Sequence, residues 1–369
     1  MNPIDSAIRN PNSAMFKPLL AVTMGDPAGI GPEVIVKAWA EPRVHQACQP
    51  IVFGHPQVLQ MAAALVAKKT EIVTIDDLAA VADRQSTPDT ILCLPAGGDD
   101  WLDMPTDRPH VNPIGISDAR TGQAAYDAVI DATDAALAGT VQGVVTAPLS
   151  KSALHAAGHQ YPGHTELLAE RCGVDDFAMM LYLPPEEVPA CPAGLGVVHV
   201  TLHMALRDVF GKVTADAVSA KCRLADQAMR EGFGLAKPRV GVCALNPHGG
   251  EDGLFGDEET RIIAPAVATA RDQGIDATGP FPTDTLMVRA RDGELDAIVA
   301  MYHDQGHIAL KLLGMHRAVN ITLGLPIVRT SVAHGTALDR AWQGTAESSG
   351  MVAALLTASQ LARCRTSNV

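Results

Sequence analysis

The sequence lacks paired cysteines, runs of basic residues and long apolar segments, and each absence argues against a class of protein. Its seven cysteines are scattered and never form a Cys-x-x-Cys pair. This argues against zinc ribbons and disulfide frameworks, and favours reduced thiols in a cytoplasm. No Lys/Arg run is present and the net charge is -13, so we expect no nucleic-acid partner. No apolar run approaches the roughly 18 residues of a membrane span.

The chain also lacks a repeat period and the apolar core of a signal peptide. Residues 1–18 are mostly polar and predict a flexible extension. Beyond them, short apolar runs such as 19–22 alternate with alanine-rich helical patterns such as 213–230. This alternation is typical of an α/β fold with a largely parallel sheet. The 369 residues suggest two domains, which we place at 19–140 plus 295–369 and at 141–294.

Three of the apolar runs are each followed by a histidine. His203 follows "LGVVHVTL", His248 follows "VGVCALNP" and His303 follows "DAIVAMY". Ligands of open α/β sheets bind beyond the carboxyl ends of the strands, so the three side chains can converge there. Three neutral imidazoles suit a divalent transition metal with open positions for a substrate. The pattern alone is equally compatible with histidines that cap helices or bond their neighbours.

Two other histidines are given structural roles. His199 lies inside an apolar run and is predicted to be a core residue. His307 is predicted to lie on the surface, although it is close in sequence to His303.

A further set of polar residues consists of candidates for binding an anion. These residues are Lys151, His164, Thr165, Lys311, Asn320 and Arg329. Arginine suits a bidentate bond to carboxylate or phosphate, whereas lysine acts as a point charge. Thr165 is either the N-cap of a helix that starts at Glu166 or a ligand to an anion at that helix start. Alternatively, all six are ordinary polar residues on the protein surface that bind no ligand.

The stretch "TMGDPAGIGPEVIVKA" at 23–38 places three glycines between an apolar run and a helical pattern. The spacing of these glycines does not fit the dinucleotide fingerprint G-x-G-x-x-G, which argues against an ordinary Rossmann domain. Pro32 suits the first turn of a helix. We expect this loop to shape the wall of a cleft, with Asp26 or Glu33 in polar contact with substrate or cofactor.

Eight motifs together carry a resemblance to a known family. The chain resembles the 4-hydroxythreonine-4-phosphate dehydrogenase (PdxA) family of pyridoxal phosphate synthesis in "TMGDPAGIGPE", "TAPLSK", "PGHTELLAE", "TLHMALRDV", "NPHGGEDG", "YHDQGH", "NITLGLPIVRTS" and "HGTALD". The resemblance runs from about 19 to 353. It implies the isocitrate/isopropylmalate dehydrogenase-like fold, with two α/β domains and the active site in the cleft between them. It also implies NAD or NADP, one divalent metal (Zn, Co, Mg or Mn), and a homodimer with shared active sites.

The same resemblance implies a role for individual residues. The implied metal ligands are His203, His248 and His303. The implied substrate-binding residues are His164, Thr165, Lys311, Asn320 and Arg329. The implied cofactor loop contains His334, Gly335, Thr336 and Asp339. Either Lys151 or Asp284 is expected to act as the general base, and the choice between them stays open.

The implied reaction is the oxidation of a secondary alcohol by NAD, followed by decarboxylation of the β-keto acid, with a metal to stabilise negative charge. The expected substrate is 4-phosphohydroxy-L-threonine or a related 4-phosphorylated hydroxy acid. Ala333, Trp342 and His307 depart from the common family pattern, as occurs in paralogues. One such paralogue is terephthalate cis-dihydrodiol dehydrogenase, whose substrate carries a carboxylate where the phosphorylated hydroxy acid carries a phosphate. This activity is the alternative. A phosphate acyltransferase and a non-catalytic ligand-binding protein are more distant alternatives.

Overall fold

The computed structural model describes residues 16–66, 69–98 and 116–367. Most of the predicted N-terminal extension lies outside the described residues. The strands are β1 (Leu19–Thr23), β2 (Gln49–Gly54), β3 (Glu71–Thr74), β4 (Thr90–Pro95), β5 (Gly143–Thr146), β6 (Ala178–Leu183), β7 (Leu195–His199), β8 (Arg239–Cys243), β9 (Asp276–Phe281), β10 (Ala297–Ala300), β11 (Val319–Leu323) and β12 (Arg329–Val332).

Helices of very different length separate these strands. They are α1 (Gly31–Trp39), α2 (Pro42–Ala47), α3 (Pro56–Leu65), α4 (Ala119–Leu137), α5 (Lys151–Ala156), α6 (His164–Cys172), α7 (Leu206–Val209), α8 (Ala215–Gln227), α9 (Ala264–Asp272), α10 (Thr283–Arg291), α11 (His303–Gly314) and α12 (Ser349–Ser367). Pro32 lies in the first turn of α1, as predicted, where its missing N–H costs nothing because that turn has no intrahelical partner for it.

The chain divides into two compact units. The first unit contains Pro18–Met179 and Gly314–Ser359, and the second contains Met180–Leu313 with the end of α12 from Gln360. These bounds differ from the division at 140/141 and 294/295 drawn from the sequence. The difference arises because β5 pairs with β1 in the first unit, while β10 pairs with β7 and β8 in the second.

The first unit is built on the strand order β3-β4-β2-β1-β5-β12-β11. Its neighbouring strands run parallel except for β11, which is antiparallel to β12. Buried apolar residues, among them Ile51, Phe53 and Leu92, form a core with side chains of α4 and α6. Strands buried in this way are near-continuous apolar runs, which is why β1, β2 and β5 were recognised in the sequence.

The second unit has the strand order β6-β7-β10-β8-β9. Its strands are parallel apart from the antiparallel pair of β6 and β7. Tyr182 on β6 stacks on Phe233 with ring centroids 4.5 Å apart. The carboxyl ends of β7, β8 and β10 therefore lie at one edge, where the sequence places histidines.

The predicted α/β class is confirmed, and nine of the twelve strands coincide with apolar runs chosen from the sequence. The three that were not predicted are β3, β9 and β12. Strand β3 has four residues and no buried position, and β9 contains a Gly-Pro pair. Strand β12 consists of Arg329–Val332, in which only the last residue is apolar.

The described residues contain no helix that is both long and apolar enough to cross a membrane. All seven cysteines are free thiols, and five of them are buried.

Candidate functional site

Two of the three predicted metal-binding histidines lie side by side in the second unit. Thr201, just after β7, donates through its hydroxyl to the carbonyl of Met301 at 2.8 Å. This bond holds the loop after β7 against the loop after β10. The rings of His203 and His303, which follow these strands, consequently have centroids 5.9 Å apart.

His303 is the first residue of α11 and is held in one orientation. Its Nδ1 lies 2.6 Å from Oδ1 of Asp304. A carboxylate partner favours the tautomer with hydrogen on Nδ1 and leaves Nε2 available for a ligand. The two histidines line a cavity of about 390 Å³, together with Leu202, Met204, Leu206, Val209, Tyr302 and Asp304. One wall of this cavity is therefore apolar and the other can accept a cation.

His248 lies in a different environment. It belongs to the 3-10 segment Pro247–Gly253, in which five consecutive residues from His248 to Asp252 have left-handed or otherwise non-helical backbone angles. Its side chain is exposed, and its Nδ1 lies 3.4 Å from Oε1 of Glu251. Across the described part of the chain, no three His, Cys, Asp or Glu side chains are grouped so as to hold a metal ion. The structure thus brings His203 and His303 together without His248, and the three-histidine site remains a prediction.

The prediction that His307 lies on the surface is wrong. His307 is buried on α11, and its Nδ1 lies 3.1 Å from Nε2 of His199. Burial, together with the nearby His303, Lys311 and His203, lowers the pKa of His307 to about 4. The imidazole is therefore neutral at physiological pH. His199 is a buried residue of β7, as predicted.

Gln305 connects three strand ends and was not identified from the sequence. Its Oε1 accepts from the backbone of Met301 at 2.7 Å. Its Nε2 donates to the carbonyl of Ala244 at 2.7 Å and to the hydroxyl of Thr283 at 2.8 Å. Glutamine is uncharged, and Gln305 lies within the longer motif "YHDQGH". The sequence alone therefore does not indicate that it joins three strand ends.

The other two candidates of the second unit are less constrained. Asp284 is exposed in the first turn of α10, where its Oδ1 accepts from the backbone of Thr285 at 2.8 Å. Lys311 is half-buried on α11. Its charge is one reason why His307 has a low pKa, so Lys311 lies on the same side of α11 as the histidines.

In the first unit, one row of polar side chains crosses the sheet. Thr23 is in register with Thr146, Thr146 with Ser331, and Ser331 with Asn320. Residues in register lie on the same face of a sheet. The Oδ1 of Asn320 is buried and has no hydrogen-bond partner among the described residues. A buried acceptor left in this way indicates a place for a donor from a ligand or water.

Arg329 lies on the same face, two residues before Ser331. Its two terminal nitrogens donate to Thr322 Oγ1 at 3.0 Å and to Thr146 Oγ1 at 2.7 Å. Its Nε is buried without a partner in the described structure. Burial, partly offset by the nearby Glu166 carboxylate, lowers the pKa of the guanidinium to about 9. The group is still protonated at neutral pH, and an incoming anion would offset the free-energy cost of its burial.

His164 and Lys151 complete this cationic cluster. Burial lowers the pKa of His164 well below its usual value, and Arg329 and then Lys151 lower it further. The Nε2 of His164 is buried and lacks a hydrogen-bond partner within the described residues. Lys151 begins α5, after the N-cap Ser150, and its side chain is exposed. Two cations, a neutral imidazole and threonine hydroxyls are the groups that bind carboxylate or phosphate.

Helix α6 begins two residues earlier than one of the two predicted alternatives. Gly163 is the N-cap and His164 the first helical residue, so Thr165 is not the cap of a helix starting at Glu166. Gly163 lacks a side chain to cap the helix. The first backbone N–H groups of α6 are therefore not satisfied by a side-chain cap, next to a residue proposed for anion binding.

The expected cofactor loop, which follows β12, is held against the glycine-rich loop. The backbone N–H of Ile30 donates to the carbonyl of Thr336 at 3.0 Å. A Cβ on Gly29 would lie only 3.1 Å from Cβ of Thr336, so glycine permits this approach. His334, Gly335 and Asp339 are exposed. The cofactor role of this loop stays a prediction.

The expectation that Asp26 or Glu33 contacts substrate or cofactor is wrong for Glu33 and is not supported for Asp26. Both carboxyl groups are fully buried. Asp26 accepts from the backbone of Ala28 at 2.9 Å and from the hydroxyl of Ser117. Burial raises the pKa of Asp26, whereas these bonds lower it.

Glu33 instead supports the segment that follows the expected cofactor loop. It accepts from the backbone N–H of Trp342 and from that of Gly344 at 2.8 Å. Lys37, one turn later on α1, donates to the carbonyls of Gly344 and Ala346 at 2.7 and 2.8 Å. Trp342 has a φ of 62°. Its indole donates to the carbonyl of Pro27 at 3.1 Å, so its ring fills space between the two loops.

Comparison with known proteins shows the family to which the chain is similar. The sequence model of the family described as "Pyridoxal phosphate biosynthetic protein PdxA" matches residues 46–358. The D-threonate 4-phosphate dehydrogenase of Salmonella typhimurium is 44% identical over 343 residues, covering 93% of this chain and 98% of the relative. The 4-hydroxythreonine-4-phosphate dehydrogenase of Beijerinckia indica is 45% identical over 342 residues, covering 93% and 94%.

Solved structures show the same likeness. The crystal structure of 4-hydroxythreonine-4-phosphate dehydrogenase from Klebsiella pneumoniae superposes with a TM-score of 0.78 at 42% identity, covering 94% of this chain and all of that one. A terephthalate 1,2-cis-dihydrodiol dehydrogenase from Burkholderia xenovorans superposes with a TM-score of 0.60 at 30% identity, covering 93% and 98%.

Proposed function

Because the chain belongs to the family of the pyridoxal phosphate biosynthetic protein PdxA, we propose that it is an NAD-dependent dehydrogenase of a 4-phosphorylated hydroxy acid. In this proposal it oxidises the secondary alcohol and then decarboxylates the resulting β-keto acid. Relatives named for D-threonate 4-phosphate and for 4-hydroxythreonine 4-phosphate are equally similar to it. The proposed substrate is therefore the class that these two compounds share: a short 3-hydroxy acid with a terminal phosphate.

The buried cation of Arg329 is the observation that carries this proposal. It bonds two threonine hydroxyls, and no described carboxylate lies within 4 Å to form an ion pair with it. A buried charge is costly unless it is paired. A dianionic phosphate supplies that pair, with His164 and Lys151 beside it as further donors.

Metal binding is proposed for His203 and His303. When bound, a divalent metal supplies a positive charge that lowers the pKa of an alcohol and stabilises the negative charge developing as CO2 leaves, while NAD accepts the hydride. Asp304 orients the His303 ring by accepting at its Nδ1. Leu202, Leu206 and Val209 form the apolar wall of the same cavity.

The general base is proposed to be Lys151 or Asp284, and the two make different predictions. Lys151 lies near His164 in the first unit, whereas Asp284 is exposed in the second. If Lys151 is the base, Lys151→Met lowers kcat far more than Asp284→Asn does. If Asp284 is the base, the order of the two losses is reversed.

A homodimer with shared sites is part of the proposal. His203 and His303 occur together on one chain while His248 lies on a separate, exposed loop, as expected if the partner subunit supplies the third ligand. Large apolar side chains of the same unit, namely Leu206, Phe210 and Leu254, are exposed and available for a subunit contact.

A complementation experiment tests this arrangement. His203→Ala and His248→Ala are each expected to be inactive. If one site uses His203 of one chain and His248 of the other, a mixed dimer of the two variants contains one intact site. Random reassociation would then restore about a quarter of the wild-type activity. No recovery, with mixed dimers demonstrated by differently tagged chains, would show that the three histidines act on one chain.

The substrate is tested by NADH formation with metal-replete protein. We expect turnover of D-threonate 4-phosphate or 4-phosphohydroxy-L-threonine, with release of one CO2 for each NADH. A carboxylated cis-dihydrodiol is the second candidate, since the Burkholderia xenovorans enzyme shares the fold. Its lower identity and TM-score make it the weaker candidate. Turnover of the dihydrodiol alone would overturn the proposed phosphate specificity, and no turnover of any of the three would refute the proposed function.

A further inference from the structure

We propose that His307, through its stacking on His303 and its bond to His199, is a positioning residue that holds the His303 imidazole ready for the metal. The inference rests on the proposed function, because it takes His303 to be a metal ligand.

The first support is the contact between the two rings. His303 and His307 are one turn apart on α11, and their ring centroids lie 3.8 Å apart with an angle of 13° between the planes. Rings this close and parallel are in van der Waals contact over their faces. The His303 ring therefore cannot rotate about its Cβ–Cγ bond without displacing His307. Asp304 fixes the edge of the same ring at 2.6 Å.

The second support is that His307 is itself anchored. Its Nδ1 lies 3.1 Å from Nε2 of His199, so one of the two nitrogens donates and the other accepts. His199 is a buried residue of β7, whose position the sheet determines. The sheet therefore fixes the His307 ring through the hydrogen bond to His199. The His307 ring in turn fixes the His303 ring by stacking on it.

The approach of α11 to β7 depends on Gly306. A Cβ at this position would lie 2.6 Å from Nε2 of His199 and 2.6 Å from Cγ1 of Val197. Contacts this short do not occur, so any larger residue would push the helix away from the strand and separate His307 from His199. One connected group in the second unit thus consists of Gly306, the bonded pair of His199 and His307, and the proposed metal ligand His303.

A leucine at 307 would fill similar space but provides neither a flat face nor a hydrogen-bond partner. His307→Leu is therefore expected to leave His199 without this bond and to free the His303 ring to rotate. Partners that orient a ligand typically change metal affinity about 10- to 100-fold when they are removed. A phenylalanine retains the flat face while losing the bond, so it separates the two contributions.

The test measures metal binding without turnover. Metal-free full-length protein is titrated with Co²⁺, and the visible absorption of the ion reports both its affinity and its ligand geometry. We expect His307→Leu to weaken Co²⁺ binding about 10-fold or more and to alter the spectrum. His307→Phe should recover part of the affinity. His316→Leu, at an exposed histidine of the first unit, is the control and should bind as the wild type does.

Activity gives a second readout. At saturating metal the kcat of His307→Leu should return to within a few-fold of the wild type, because the ligands themselves are intact. Unchanged Co²⁺ affinity and spectrum in His307→Leu would overturn the inference. So would an equal loss in His307→Leu and His307→Phe that persists at saturating metal, since that indicates a packing defect. If wild-type protein neither binds Co²⁺ nor forms NADH, the proposed function fails first, which is a distinguishable result.

Discussion

Replacement of Glu33 by alanine should destabilise the protein through a loop that is distant from it in sequence. The Glu33 carboxylate is fully buried, and its oxygens accept from the N–H groups of Trp342 and Gly344. Alanine would leave both N–H groups without an acceptor. Each unsatisfied buried donor costs about 1–3 kcal/mol, which gives a range of about 2–6 kcal/mol for the pair.

Two effects refine this magnitude. Removing the carboxylate relieves the cost of burying its charge, which reduces the net loss. Trp342 is held in a left-handed backbone conformation, which costs an L residue about 1–2 kcal/mol, so the freed loop can relax. We therefore expect a loss of about 2–3 kcal/mol in the free energy of unfolding, which corresponds to a fall in Tm of about 5–10 °C for domains of this size.

The assay is thermal and urea unfolding of three variants. Glu33→Ala should show the full loss, and Glu33→Gln should show a smaller one because its carbonyl oxygen still accepts one of the two bonds. Glu41→Ala is the control, since this exposed carboxylate has only a 3.8 Å ion pair with Arg43. It should stay within about 0.5 kcal/mol of the wild type. A Glu33→Ala variant that is equally unperturbed would refute the assignment of Glu33 as the support of this loop.

Three further predictions concern the cationic cluster and the metal. Arg329→Met should raise KM for the phosphorylated substrate about 10- to 100-fold, as expected for loss of a charge-assisted bond of about 1.5–3 kcal/mol; an unchanged KM would place the phosphate elsewhere. Burial lowers the pKa of His164 in the folded protein, so below about pH 6.5 the unfolded chain binds a proton that the folded one does not. The contribution of His164 to stability is therefore complete above that pH and is lost as the pH falls. His164→Gln should flatten the slope of unfolding free energy between about pH 6.5 and 5, and an identical slope would contradict the lowered pKa. EDTA should abolish NADH formation, and a divalent ion should restore it; activity that survives dialysis against EDTA, with metal absent by elemental analysis, would contradict metal dependence.

Strands were predicted correctly where burial on both faces requires an apolar sequence. Strands β1, β2, β5 and β10 are covered on both faces and appear as uninterrupted apolar runs. Strand β12 was missed because its first three residues, Arg329 to Ser331, are polar although every one is buried. Their burial depends on partners that come from distant parts of the chain, such as Thr146 and Ala354. No local pattern records those partners.

Site residues divide in the same way. His203 and His303 were identifiable because each follows an apolar run and parallel strands end at a common edge. The burial of His307 was not identifiable, since helix α11 alone does not reveal that Gly306 allows it to approach β7. We expected Glu33 to contact substrate or cofactor because it follows a glycine-rich loop. In the structure its carboxylate instead accepts hydrogen bonds from the backbone N–H groups of Trp342 and Gly344.

The sequence by itself determined the α/β class, the family and the residue types available for chemistry. These follow from short-range properties: the period of apolar residues, the glycine and proline positions, and motifs whose spacing is preserved along the chain. Only the tertiary structure decided which polar groups face one another. It placed His307 between His199 and His303, Arg329 between two threonines, and Glu33 beneath the loop at 342–344. The physical reason is that the cost or benefit of a buried charge or hydrogen bond depends on its partners in space, and residues up to 315 positions apart supply those partners here.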